Sequence, residues 1–177
     1  FKADLLWFKM TSSSQNNQLY DSQRLNSRST PFMLRSDTTG AEIDDQAQGN
    51  NNKIISSFNS DGFTLGGSNS GPNDASRTYV AWCWKANGGT TASNSDGNVT
   101  STVQANQAAG FSIVTYTGTG SSGATVGHGL GAVPKFIIVK NRDSVKNWAC
   151  YHVDYNNSGQ RALLLNTGGT DNSNYWY

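Results

Sequence analysis

The densest apolar stretch of the chain is Thr78-Tyr79-Val80-Ala81-Trp82-Cys83-Trp84-Lys85, and it limits the choice of fold more than any other segment. In a strand, side chains alternate between faces, so Tyr79, Ala81 and Cys83 point one way and Val80, Trp82 and Trp84 the other. Both sets are apolar, which predicts a strand buried on both sides. Trp82 and Trp84 each bring a large apolar area and an N–H that needs a partner, so they are expected to anchor a core. The competing assignment sets one of them in a sugar-binding groove; apolar patterning favours the core.

The other apolar residues fall in short runs between Gly, Asn and Ser clusters. Strands are expected at 5–8, 18–20, 31–35, 54–58, 63–65, 99–103, 111–116, 125–126 and 134–140. Pro31 opens its run, where a missing N–H is tolerated. Asn59-Ser60-Asp61-Gly62 should turn a hairpin between Ile54–Phe58 and Phe63–Leu65, since Asp-Gly suits backbone positions of positive φ. Helix formers are sparse, while the chain holds 19 Gly and only 14% charged residues. The fold class that follows is all-β, with antiparallel β-sandwich modules in tandem.

The chain also repeats itself. Placing Phe136 on Leu5 (an offset of 136 − 5 = 131) lays Leu5-Leu6-Trp7-Phe8-Lys9 over Phe136-Ile137-Ile138-Val139-Lys140 without a gap. Asn16 then meets Asn147, Tyr20 meets Tyr151, Asn26-Ser27 meets Asn157-Ser158, and Phe32-Met33-Leu34 meets Leu163-Leu164-Leu165. Two tandem modules are therefore expected. Residues 1–86 form the first, lacking its N-terminal strands; 87–98 form a linker or exposed loop; 99–177 form the second, C-terminally incomplete. A second copy of the tryptophan strand is expected beyond Tyr177.

A net charge of +1 leaves no electrostatic footprint for nucleic acid. No apolar run nears the roughly 20 residues of a membrane span, so membrane insertion is not expected. Cys83 and Cys150 lie inside apolar runs and are expected to be small buried thiols. Gly118-Thr119-Gly120-Ser121-Ser122-Gly123 matches a dinucleotide fingerprint, but the residues after it cannot open the helix that a pyrophosphate needs. His128 and His152 have no cysteine or histidine cluster around them to suggest a metal. Glu42, Asp44 and Asp45 are expected in a solvated loop, and Asn59 and Asp61 in a turn. Neither a metal nor another cofactor is expected. Asn98-Val99-Thr100 and Asn156-Asn157-Ser158 are acceptor sequons that carry meaning only in a eukaryotic secretory pathway.

The hairpin segment Ser57–Gly66 followed by Tyr79–Lys85 resembles repetitive virion proteins of marine tailed bacteriophages. So do Gly110–Gly118 and His128–Arg142, with Asn147-Trp148 and Tyr151-His152 continuing the likeness. The first copy departs from that pattern at Met10-Thr11, where Asn-Arg is more usual, and at Asn17, where Trp is expected. The resemblance implies sandwiches of lectin-like or jelly-roll-like form, in a tail-fibre or receptor-binding module of a virion assembled in the bacterial cytoplasm. Its partners would be other virion subunits and a host surface polysaccharide, and fibres of this kind are commonly homo-oligomers. No catalytic residue is transferable, so no enzyme activity is expected. A glycan site would combine aromatic faces with hydrogen-bonding groups, and Trp148, Tyr151 and His152 are the candidates. Packing of Trp148 within its own sandwich is the competing assignment. The competing functions are a capsid fibre or decoration protein and a glycan depolymerase, the latter requiring a carboxylate pair in a cleft.

Overall fold

The computed structural model describes residues 1–25, 29–44, 54–67, 71–155 and 161–171. Asp45, the 26–27 and 157–158 matches of the repeat, the 156–158 sequon and the run 175–177 lie outside the described residues. In chain order the described strands are β1 (Leu5–Met10), β2 (Gln18–Leu25), β3 (Pro31–Arg35), β4 (Ile55–Phe58), β5 (Phe63–Leu65), β6 (Tyr79–Trp84), β7 (Ala92–Asn94), β8 (Ser101–Asn106), β9 (Phe111–Tyr116), β10 (Phe136–Val139), β11 (Ala149–His152), β12 (Ala162–Leu164) and β13 (Gly169–Asp171). A short 3-10 turn spans Gly71–Asn73. The fold is all-β, and every pair of neighbouring strands is antiparallel.

The first sheet has the order β3-β2-β1-β6. One of its faces carries Leu6, Phe8, Tyr20 and Met33, all buried. The β4–β5 hairpin closes over them with Ile55, Phe58, Phe63 and Leu65. Phe8 meets Phe63 edge-on at 5.2 Å, an arrangement aromatic quadrupoles favour. Each such side chain, fully buried, stabilises the fold by about 1.5–3 kcal/mol. The hairpin forms as expected, with Asn59 donating its N–H to the Gly62 carbonyl at 2.8 Å, but neither Asp61 nor Gly62 has the positive φ for which Asp-Gly was expected there.

The expectation of a doubly buried Tyr79–Trp84 strand is corrected. β6 is the edge of its sheet, and Ala81, Trp82 and Cys83 are exposed. The central strand is β1 instead, paired on both edges but with only one face fully buried. It pairs with β2 on one side and β6 on the other, and Leu6, Phe8 and Met10 are buried. Apolar residues on both faces of β6 therefore reflect half-covered positions at an edge. For Cys83 the expected burial fails for the same reason, while Cys150 is buried; both thiols are free.

β7, β8 and β9 form a second sheet, with β7 lying inside the 87–98 tract. It is tied to the first sheet through side chains. Ser22 Oγ lies 3.0 Å from the Gln104 side-chain amide, and Gln23 Nε2 donates to the Thr102 carbonyl and to Thr115 Oγ1. Beside it, Val99 bridges Val126 in parallel, and Asn98 and Thr125 exchange side-chain and backbone hydrogen bonds. Gly97 is obligatory there, because a Cβ would collide with the Thr125 carbonyl.

The third sheet is β10-β11-β12-β13. At the 131-residue offset it reproduces the first. Leu5↔Asp21 through Phe8↔Gln18 become Phe136↔His152 through Val139↔Ala149, pair for pair. The next strand keeps its position but not its register: Leu19 pairs with Leu34, whereas Cys150 pairs with Leu163 rather than Leu165. A shift of two residues leaves every side chain on its own face.

The third sheet grips the first through the segment 35–42. Trp148 Nε1 donates to the carbonyls of Arg35 at 2.9 Å and Thr38 at 3.1 Å. Its ring packs with Leu19 and Leu34 in a second core, alongside Leu5, Trp7 and Leu165. Lys140 Nζ and the Lys146 N–H both donate to the Thr39 carbonyl, and the Glu42 N–H donates to the Arg142 carbonyl.

Candidate functional site

Strand periodicity places Trp82 and Trp84 on one face of β6, about 7 Å apart along the strand. Cross-strand pairing puts Trp7 opposite Trp82 and Leu5 opposite Trp84. The result is an aromatic row. Trp7 meets Trp82 edge-on with centroids 6.1 Å apart, and Trp84 at 6.4 Å with a tilt of 35°. Trp84 stacks on Phe111 of β9, 6.4 Å away with an interplanar angle of 24°. Trp82 is 46% exposed, while Trp7, Trp84 and Phe111 are half-buried. By register Lys9, opposite Val80, stands on the same face at one end of the row, and Asn106, opposite Phe111, at the other. Trp7 Nε1 is buried without a hydrogen-bond partner. A row of rings ending in hydrogen-bonding side chains is the composition of a site for amphipathic rings such as sugars.

The three sequence-predicted contacts do not come together as one platform. Trp148 is 4% exposed and its N–H is taken by backbone carbonyls, so packing, the competing assignment, describes it. Tyr151 and His152 are neighbours on β11 and so face opposite sides of the sheet. His152 lies beside Phe136, with ring centroids 6.2 Å apart, and its Nδ1 accepts the Asp154 N–H at 3.2 Å.

The acidic residues are placed differently from expectation. Glu42 is not in a solvated loop: its side chain is 11% exposed and lies between Arg24 and Arg142. Arg24 also pairs with Asp21, which extends the chain of alternating charges. The hydrogen bond from Glu42 raises the affinity of Arg142 for its proton, against the opposing effect of burial. Lys140, turned toward the Thr39, Asn141 and Ser144 carbonyls, has its pKa lowered by burial. Asp21 and Glu42 are thus bound to arginines inside the protein rather than lining a cleft.

Asp4 escaped sequence reasoning. It is fully buried, and its carboxylate accepts from the N–H groups of Ala86, Gly88 and Gly89 and from Ser22 Oγ, at 2.6–2.9 Å. Its sequence signal is the Asn-Gly-Gly turn after β6, a run of N–H donors that requires an acceptor.

The remaining motifs behave as local structure. The 118–123 glycines sit in an exposed loop from which no helix starts. His128 Nδ1 accepts the Leu130 N–H, and Asn59 is tied to Ser57 and Thr64. Among the described residues no group of three His, Cys, Asp or Glu side chains is placed to hold a metal ion. No described helix is long and apolar enough to cross a membrane.

A family model described as a domain of unknown function, DUF7483, matches residues 1–177. No curated protein and no solved structure matches the chain.

Proposed function

The chain belongs to the DUF7483 family, and we propose that it serves as a non-enzymatic structural or adhesion module of a bacteriophage virion, in a tail fibre or receptor-binding protein that contacts a host surface glycan. The observation that carries the adhesive part is the aromatic row Trp82–Trp7–Trp84–Phe111, whose outer ring stands open to solvent. A pyranose presents an apolar face that such rings can cover; at the ends of the row Lys9, which already donates to the Gln15 carbonyl, and Asn106, which already binds the Lys85 carbonyl and the Ala109 N–H, have further donors for its hydroxyls. The virion setting is supported by the likeness of the hairpin, the tryptophan strand and the 128–142 segment to phage fibre repeats. Symmetric self-association in the particle belongs to the same proposal, as symmetric assemblies are the default for homo-oligomers.

The test is a screen of the chain and of Trp82→Ala against immobilised bacterial surface polysaccharides. Binding is expected for the unaltered chain and should weaken about tenfold or more in the variant, a loss of about 1.4 kcal/mol. Val145→Ala, at an exposed residue away from the row, should bind normally. Absence of binding to any glycan, together with normal particle assembly, would remove the adhesive role and leave the structural one. Labelled antibodies on intact particles separate tail from capsid, and release of reducing ends from the polysaccharide would make the protein an enzyme.

A further inference from the structure

β1 and β10 are equivalent strands at the 131-residue offset, and each pairs with its following strand in the same register. Their other edges differ. β1 pairs along its whole length with β6, from Leu5↔Trp84 to Met10↔Tyr79. β10 ends its sheet, and among the described residues no strand pairs with its outer edge. In the first sheet Leu5 and Trp7 stand opposite Trp84 and Trp82, and the Trp7 ring contacts both tryptophans. The equivalent residues on β10 are Phe136 and Ile138, and they are 53% and 38% exposed. Phe136-Ile137-Ile138-Val139 contains no charge, proline or glycine. β10 is short and is flanked by Pro134-Lys135 and Lys140, but an edge whose own residues are all apolar is still a template for strand addition.

The geometry points to the outer edge of β10 as the acceptor for one kind of partner: an antiparallel strand with the sequence pattern of β6. The occupant is identified by β6 itself, which fills the equivalent edge of β1. In the same register, the Trp84-type residue of the incoming strand lies opposite Phe136 and the Trp82-type residue opposite Ile138. Backbone hydrogen bonds supply affinity to any such strand; the side chains that land on Phe136 and Ile138 supply the choice.

A peptide of residues 77–86 provides the test. It is titrated under reducing conditions into the isotope-labelled full chain, and hydrogen exchange is followed at each amide. Exchange within Phe136–Val139 is expected to slow by about tenfold or more as the edge becomes paired. A peptide with serine at both tryptophan positions should have no such effect. Ile138→Lys in the chain should abolish the response while the amides of β1 keep their protection. Three results would overturn the assignment: no slowing at Phe136–Val139 with millimolar peptide, equal slowing with the serine peptide, or slowing in the chain alone on concentration, which would make a second copy the occupant. Because the peptide variants require no folding, the result stands even if Ile138→Lys unfolds the protein.

Discussion

Trp148 and Trp82 both stand in short apolar runs, yet Trp148 is 4% exposed and Trp82 46%. The difference lies in what covers them. Trp148 fills the space between two sheets, and the carbonyls it donates to lie at the end of β3 and in the turn after it. Truncating it leaves a large cavity and two carbonyls without their partner, so Trp148→Ala should cost about 3–5 kcal/mol in urea unfolding. Trp82→Ala should cost less than about 1 kcal/mol, because its ring is already half in water. A similar cost for the two would show that the row, too, is core. The cysteines divide in the same way. Burial pushes both thiols above their usual value, with Leu165 acting in the opposite direction on Cys150. The thiolate is the reactive form, so a raised pKa leaves less of it at neutral pH. Against a thiol reagent Cys83 should react first, yet more slowly than free cysteine, and its rate should keep rising above the ordinary thiol range. Faster modification of buried Cys150 would contradict this picture.

At the scale of elements, most strand positions are legible because they depend on alternation and turn chemistry, which are local; β7, in the tract expected as a linker or exposed loop, has no apolar alternation to mark it, and residues 125–126, expected as a strand, make only the isolated Val99–Val126 bridge. β3 begins at Pro31 and β9 covers 111–116, as the sequence predicts. The order of strands in a sheet is not local, and β6 shows the consequence. Its apolar residues suit a central strand, but β1 takes that place because β6 is joined only to β1 while β1 has two neighbours. Asp4 helps to hold β6 in place, since three N–H groups of the turn after β6 converge on its carboxylate just before β1 begins. Asp4→Ala would leave those donors and Ser22 Oγ without their acceptor in a buried site, and should cost at least about 3 kcal/mol. Calorimetry checks this, and hydrogen exchange should show the loss first at Ala86, Gly88 and Gly89. Unchanged stability would mean that water replaces the carboxylate.

For the whole molecule, the repeat explains why the two halves are not interchangeable. Arg142 and Trp148, which grip the 35–42 segment, stand where the first copy has Thr11 and Asn17. The two copies thus differ at the residues that dock one sheet on the other. Glu42 is the centre of that contact. Glu42→Ala would leave buried Arg24 with Asp21 alone and remove the anchor of Arg142, and should cost about 3 kcal/mol. Arg142→Ala, at a side chain 39% exposed, should cost about 1 kcal/mol or less. In Glu42→Ala, urea unfolding followed by tryptophan fluorescence and by circular dichroism should no longer coincide, as the third sheet releases before the first. Coincident transitions would show that packing around Trp148 couples the sheets without the ion pairs.

The all-β class, the hairpin at 59–62, most strand positions and the 131-residue repeat are properties of the sequence itself. They follow from side-chain alternation and turn residues, which act over a few neighbours, and from similarity between two segments of one chain. The tertiary structure decided which apolar faces are covered. It buried Trp148, opened Trp82, placed Glu42 between two arginines and gave Asp4 its three backbone donors. Each of these depends on residues about 18 to 113 positions apart in sequence meeting in space. Periodicity marks a side chain as apolar; only the packing of sheets determines whether another layer lies over it.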